Sequence, residues 1–247
     1  MYVKVTDILI ERGEAGVILL HGFTGCPLSL REFANILAEK DYTVYCPLLP
    51  GHGTTPEDLN KVKWVDWVNA VEEAIKKMRE LEISNLFIGG ISLGGTLTLR
   101  IGEIRRDIDG LIPIATPVIM KKLILKFVPV LKWIIKYVKK ERRRSQEARN
   151  GSYDVWPVRA IHEVLKLMKK TKKELHRITS PILIIHSKKD DLVPFENIDI
   201  IYNNVSSKVK KKVILERSSH AVLYEDEREI VYKEVLSFLE KLLKKGQ

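Results

Sequence analysis

Gly90-Ile91-Ser92-Leu93-Gly94 stands between an apolar run, Leu86-Phe87-Ile88, and a stretch that opens like a helix, Gly95-Thr96-Leu97-Thr98-Leu99-Arg100. Strand, sharp turn and helix with a serine at the corner describe a turn that raises a hydroxyl at the end of a sheet. The spacing has a mechanical origin. The serine takes unfavourable backbone angles, and its flanking residues pack so closely on the adjoining strand and helix that side chains would clash there. The hydroxyl is then held near the positive end of a helix. A glycine-rich turn with a bystander serine is the plainer reading, so the case rests on whether partners for the hydroxyl occur elsewhere in the chain.

The surrounding pattern alternates strands with helices. Residues 17–20 and 42–49 are apolar runs of the kind that form strands buried on both faces, and 86–90, 110–116, 181–186 and 213–215 read the same way. Residues 3–10 alternate loosely, as an outer strand does. Helical spacing of apolar residues marks 30–40, 64–81 and 227–243, the second with Trp67, Val68, Val71, Ala74, Ile75 and Met78 in one stripe. This order predicts an α/β fold with a mostly parallel central sheet covered by helices on both faces. In such sheets the site lies beyond the carboxyl ends of the strands. The alternation stops at Pro117 and resumes near Pro181; between them the pattern predicts two helical stretches broken near Asn150-Gly151-Ser152-Tyr153.

A serine hydroxyl needs a base to take its proton, and the base needs an acid to fix its tautomer. After Ser92 the chain offers Asp190, Asp191 and Asp199, then His220. Asp190 follows a strand directly; Asp191 is its rival, disfavoured because adjacent side chains point in different directions. His220 follows the last strand. His21 and His52 precede the serine, His162 and His176 fall in the segment after Pro117, and His186 lies inside a strand, where a satisfied core histidine is expected. Attack on a carbonyl also requires two waiting N–H groups. Leu93, next to the nucleophile, supplies one, and the loop His21-Gly22-Phe23-Thr24-Gly25 supplies the other, from Phe23.

Composition narrows the class. The net charge of +10 is concentrated: residues 117–178 carry eighteen Lys or Arg against five Asp or Glu, a net of +13, which leaves −3 for the rest. That segment has no zinc-finger or ribonucleoprotein pattern, so no nucleic-acid partner is expected. No H-E-x-x-H or C-x-x-C spacing points to a metal, and no Gly-Lys-Ser/Thr follows Gly89-Gly90, so no cofactor is expected. Cys26 and Cys46 read as free thiols in a reducing compartment, no run has the length of a membrane span, and a cytoplasmic protein is expected. High Lys and Glu content fits a thermophile. The basic segment mixes apolar residues with Lys122, Lys126, Lys132, Lys136 and Lys139. Two readings follow: a lid with its apolar face on the pocket and its lysines in water, or a surface that docks on anionic lipid.

Taken together, Leu20-His21-Gly22-Phe23-Thr24-Gly25, Pro50-Gly51-His52-Gly53, Pro56-Glu57-Asp58-Leu59, Trp64 and Trp67, residues 90–95, Ile200-Ile201-Tyr202-Asn203 and Ser219-His220 resemble the α/β-hydrolases, in particular their small bacterial carboxylesterase and monoacylglycerol lipase branch. The likeness extends over nearly the whole chain. It implies an α/β-hydrolase core of residues 1–116 and 179–247 with a helical cap inserted at 117–178. It implies Ser92 as nucleophile, Asp190 as acid partner, His220 as base, and Phe23 and Leu93 as oxyanion donors. Cleavage of carboxylic esters with short to medium acyl chains, monoacylglycerols among them, would need no cofactor. The chain departs from the branch at 121–144, which is more basic and more apolar. The same residues also serve thioester, peptide and carbon–carbon hydrolysis, and a ligand receptor on this fold is the non-enzymatic alternative.

Overall fold

A computed structural model describes residues 5–121, 125, 127–140 and 151–244. Seven strands form one sheet: β1 (Ile8–Ile10), β2 (Ala15–Leu20), β3 (Tyr42–Cys46), β4 (Asn85–Ile91), β5 (Gly110–Ile114), β8 (Ile182–Ser187) and β9 (Lys210–Leu215). Their order is β1-β3-β2-β4-β5-β8-β9. Every pairing is parallel except β1 with β3, which is antiparallel at the edge. The expected outer strand is shorter than its alternation suggests, and residues 3 and 4 of that expectation lie outside the described residues.

Continuous apolar strands are needed because both sheet faces are covered. In β2, Ile18 and Leu20 join a core with Trp67, Val71, Ile75 and Met78 of α3 (Trp64–Glu80) and Leu97 and Ile101 of α4 (Leu93–Ile104). Val17 and Leu19, pointing the other way, pack with Phe33 and Leu37 of α1 (Arg31–Ala38) and Val231, Val235 and Leu239 of α8 (Arg228–Leu243). The two-residue period of a strand thus divides one apolar run between two cores. Helix α2 (Pro56–Leu59) starts at Thr55, whose hydroxyl accepts the Asp58 N–H at 3.2 Å. At the start of α3, Asp66 accepts the Lys63 N–H at 2.8 Å.

The segment between β5 and β8 departs from the two-helix expectation. Among the described residues its first half contains a short helix, α5 (Val128–Leu131), followed by strand β6 (Tyr137–Lys139). Strand β6 pairs antiparallel with β7 (Val155–Pro157), forming a separate two-stranded sheet. The second half holds a long helix, α6 (Val158–Glu174). Pro129 is confined to the first turn of α5, the helix closes in a turn in which Ile134 N–H donates to Leu131 O at 2.9 Å, and β-branched and aromatic Tyr137-Val138 then favour extended chain. Lys122, Lys126 and residues 141–150, including the basic run Arg142-Arg143-Arg144, lie outside the described residues. After β8 comes α7 (Asn197–Asn204).

Candidate active site

Ser92 is the residue between β4 and α4, with φ 56° and ψ −116°. That left-handed φ is strained for a residue with a side chain. Two things hold it: Ser92 N–H donates to Ile114 O at 2.9 Å, and Thr96 N–H donates to Ser92 O at 3.0 Å. The turn closes only because its flanks lack side chains. A Cβ on Gly90 would stand 2.4 Å from the Gly94 carbonyl carbon, and one on Gly94 would stand 2.1 Å from Leu20 O. Leu93 is the first residue of α4, so its N–H is among the helical amides without an intrahelical acceptor.

Asp190 lies three residues beyond β8 with its carboxylate fully buried. Oδ1 accepts N–H groups from Leu192 at 2.9 Å and Val193 at 2.7 Å. Oδ2 accepts from His220 Nδ1 at 2.8 Å. Burial alone would raise this carboxyl's pKa; contacts from His186 and His220 outweigh it and hold it well below the usual range. An ionised carboxylate only accepts, so Nδ1 of His220 carries a proton and Nε2 is left as an acceptor. Asp191 is exposed and accepts the His220 backbone N–H at 3.2 Å, whereas the imidazole Nδ1 is taken by Asp190. Asp199 lies on α7 and pairs with Lys212 at 2.6 Å, away from the imidazole.

Ser92 follows β4, Asp190 follows β8, and only β5 lies between those strands. Two strand spacings of about 4.8 Å set the gap between their ends near ~10 Å, which an imidazole arriving from β9 can bridge. Among the described residues no hydrogen bond joins Ser92 Oγ to His220; such contacts commonly tighten only when substrate is in place.

The loop bearing His220 is organised by two carboxylates that sequence reasoning did not single out. Glu227 accepts N–H groups from Glu216, Arg217 and Ser218 at 2.9, 2.9 and 2.7 Å, and the Ser218 hydroxyl at 2.7 Å. Burial opposes its charge, but these donors prevail and lower its pKa to about 2. Glu225 accepts the Ser219 N–H at 2.6 Å. The available signal was the pair of acids just before the closing helix, within reach of the turn Ser218-Ser219.

On the other side of Ser92 lies the loop after β2. A Cβ on Gly22 would stand 3.6 Å from Ser92 Cβ, which sets this loop against the nucleophile. His21 fixes its start. Leu49 N–H donates to Nε2 at 3.1 Å, so the proton sits on Nδ1 and donates to Gly22 O at 3.0 Å. Burial lowers the His21 pKa to about 4, and the ring is neutral at pH 7. His52 packs edge-on against it, centroids 4.8 Å apart, with its own pKa driven down by burial and by His21. His186 is buried as expected, yet its Nε2 lies 3.4 Å from Asp190 Oδ2, a contact that the strand pattern did not reveal. His162 and His176 stand on α6 and in the turn after it, apart from these groups. Among the described residues no group of three or more His, Cys, Asp or Glu is disposed to hold a metal ion.

A profile of the alpha/beta hydrolase family matches residues 17–234. The chain is 34% identical to a thermostable monoacylglycerol lipase of Bacillus sp. (strain H-257), covering 94% of this chain and 92% of that protein. It is 29% identical to a carboxylesterase of Bacillus subtilis (strain 168), covering 93% and 94%. Among solved structures, one from work on LipS and LipT, two metagenome-derived lipolytic enzymes, superposes with a TM-score of 0.90 at 29% identity over 96% of this chain and 98% of that one. The Paleococcus ferrophilus monoacylglycerol lipase superposes with a TM-score of 0.83 at 17% identity over 97% and 100%, a likeness of fold.

Proposed function

Because the chain belongs to the α/β-hydrolase family, we propose that it cleaves carboxylic esters of short to medium acyl chain, monoacylglycerols among them, through an acyl-enzyme on Ser92. The observation that carries this reading is the buried Asp190–His220 contact of 2.8 Å at the same sheet edge as the strained Ser92 turn. Ser92 Oγ attacks the ester carbonyl and gives its proton to His220 Nε2. Negative charge forms on the carbonyl oxygen, facing the N–H groups of Leu93 and Phe23. His220 then protonates the leaving alcohol. Water, deprotonated by the same nitrogen, attacks the acyl-enzyme and releases the acid. Asp190 stabilises the imidazolium and stays ionised throughout. The test is p-nitrophenyl ester hydrolysis by wild type and Ser92→Ala, run beside glycerol monoesters and matched thioesters. Equal slow turnover by both proteins overturns the reading, and faster thioester turnover moves the substrate class.

Residues 117–178 serve in this reading as a cap on a core of 1–116 and 179–247. The apolar residues of its first half support the lipid-docking alternative over a lid sealed on the pocket. Trp133 is 73% exposed and Ile134 77%, with Phe127 and Val130 exposed beside them. Lys132 Nζ and the Arg159 guanidinium each lie 5.4 Å from the centre of the Trp133 ring. Exposed aromatics among cations suit the interface of an anionic membrane. Flotation with anionic vesicles and not with neutral ones is the expected result; equal behaviour with both removes it. Cys26 and Cys46, buried and not joined in a disulfide, support a cytoplasmic setting, and the Lys- and Glu-rich composition supports a thermophilic source.

A further inference from the structure

Besides its own turn and the core, where the Phe23 ring meets His52 and Trp67 edge-on, the oxyanion loop is held from the cap side. Thr24, the residue after Phe23, has φ 64°, a strained value for a β-branched residue. Its carbonyl accepts the Tyr153 N–H at 3.0 Å. Its hydroxyl donates to Phe23 O at 2.5 Å and accepts from Lys140 Nζ. The Phe23 ring stacks on Trp156, with centroids 5.6 Å apart and planes 14° from parallel. Tyr153 is tied down at its far end: its hydroxyl donates to Gly51 O at 2.7 Å and accepts the Thr54 N–H at 3.0 Å. The carbonyl and the hydroxyl of Thr24, and the side chain of the residue before it, are thus gripped by Tyr153, Lys140 and Trp156.

We propose that Tyr153 and Trp156 are positioning residues that hold the Phe23 N–H in place for the oxyanion, so that the cap completes the hole as well as covering it. The proposal rests on Phe23 being a donor. A backbone N–H stabilises a transition state only if it is fixed before the charge arrives, because a donor free to turn must reorganise during the reaction. Thr24 at a strained φ would relax without outside support, turning the Phe23–Thr24 peptide and, through the Phe23 Cα, disturbing the Gly22–Phe23 peptide that carries the donor. Trp156 blocks rotation of the Phe23 side chain, Tyr153 anchors the following peptide, and the Gly51 and Thr54 contacts keep Tyr153 from following the loop.

The experiment compares wild type, Trp156→Ala, Trp156→Phe and Tyr153→Phe on p-nitrophenyl acetate. Each is also titrated with a small aliphatic trifluoromethyl ketone and its methyl ketone analogue. Ser92 Oγ adds to the ketone carbon, the carbonyl pair moves to oxygen, and the proton passes to His220; the resulting oxyanion reports the hole directly. The expected results are a loss of about 10- to 100-fold in kcat for Trp156→Ala with KM within about 3-fold. The loss of trifluoromethyl ketone preference should match that in kcat. Trp156→Phe should restore most of both, and Tyr153→Phe, which removes one hydroxyl, should shift both the same way by about 3- to 10-fold. A structural role alone would lower thermal stability without the matched loss of ketone preference. Wild-type kcat and ketone preference in Trp156→Ala and Tyr153→Phe overturn the positioning role, as does a rise in KM alone, which would make Trp156 a pocket wall. If wild type itself does not prefer the trifluoromethyl ketone, the donor reading of Phe23 and Leu93 fails first, and the positioning role falls with it.

Discussion

Replacing Asp190 by Asn separates the role of charge and tautomer from that of shape. Oδ1 of Asp190 receives two backbone N–H groups, at 2.9 and 2.7 Å, while Oδ2 faces His220 Nδ1 at 2.8 Å and His186 Nε2 at 3.4 Å. An asparagine in this buried place must keep its oxygen toward Leu192 and Val193, because an NH2 there would confront two donors with no water to intervene. The NH2 therefore faces His220 and can only donate. His220 Nδ1 must become the acceptor, its proton moves to Nε2, and Nε2 can no longer take the proton of Ser92. Locking the wrong tautomer in this way costs about 10⁴ in kcat, or about 5 kcal/mol of transition-state stabilisation. The fold should lose less. Three charge-assisted bonds become neutral ones, at about 1–3 kcal/mol in all, or several degrees of melting temperature in a chain of this size. Ester turnover measured well below the melting temperature, with Asp191→Asn as companion, reads the difference. Asp191 stands exposed and meets the backbone N–H of His220, while the imidazole Nδ1 is taken by Asp190, so its variant should stay within a few-fold of wild type. Retention of more than about a hundredth of kcat by Asp190→Asn, or its loss by Asp191→Asn instead, would refute the assignment.

Two further predictions concern carboxylates outside the triad. Glu227→Gln keeps an oxygen for Ser218 and Arg217 but turns an NH2 toward another donor; about 1–3 kcal/mol of stability should be lost at pH 7. Because the Glu227 pKa is lowered to about 2, its contribution is present above the ordinary glutamate pKa of 4.5 and disappears as pH falls through 2. The gap between wild type and variant in denaturant melts should therefore close on acidification; a gap constant with pH contradicts the charge-based account. Glu103 has the opposite sign. Burial raises its pKa to about 8 despite the Arg100 contact at 2.7 Å, so it binds a proton in the folded chain that the unfolded chain releases near 4.5. It costs stability progressively between those values as pH rises, and Glu103→Gln should melt higher than wild type at pH 8.5 and equally at pH 4. A variant that melts lower at pH 8.5 would show Glu103 ionised and held by Arg100.

The fold and the pair Asp190–His220 were legible because each is set by a local rule. A buried parallel strand must be apolar at every position, and residues 17–20 and 86–88 are. A nucleophile turn must have glycine where a Cβ would strike Leu20 O. The choice of Asp190 over Asp191 came from side-chain direction and holds for the His220 contact. The segment after Pro117 was illegible for a physical reason. Lys132 and Lys136 are four apart, as on a helix face, and nothing local says that the intervening Trp133 and Ile134 remain largely in water. Their course is decided by a pairing of Tyr137-Val138-Lys139 with residues 155–157, which no periodicity reports. The His186 contact was hidden similarly: the strand pattern says that the ring is buried but not that Asp190, four residues on, turns back to meet it.

The parts of the site that the sequence concealed share one property. Glu227 acts through four donors at residues 216–218, and Tyr153 acts on Gly51, Thr54 and Thr24 about a hundred or more positions away. Neither touches the reacting atoms, and neither residue type is demanded by the chemistry. The residues proposed as nucleophile, base and acid are constrained by what they would do to a proton, so their identities and chain order betray them. The groups that hold them are constrained only by where they stand, and many side chains can stand in a given place. A motif therefore locates the reaction, while the precision of its geometry is carried by contacts such as Glu227 on the His220 loop and Trp156 on Phe23, which become visible only when the chain is folded.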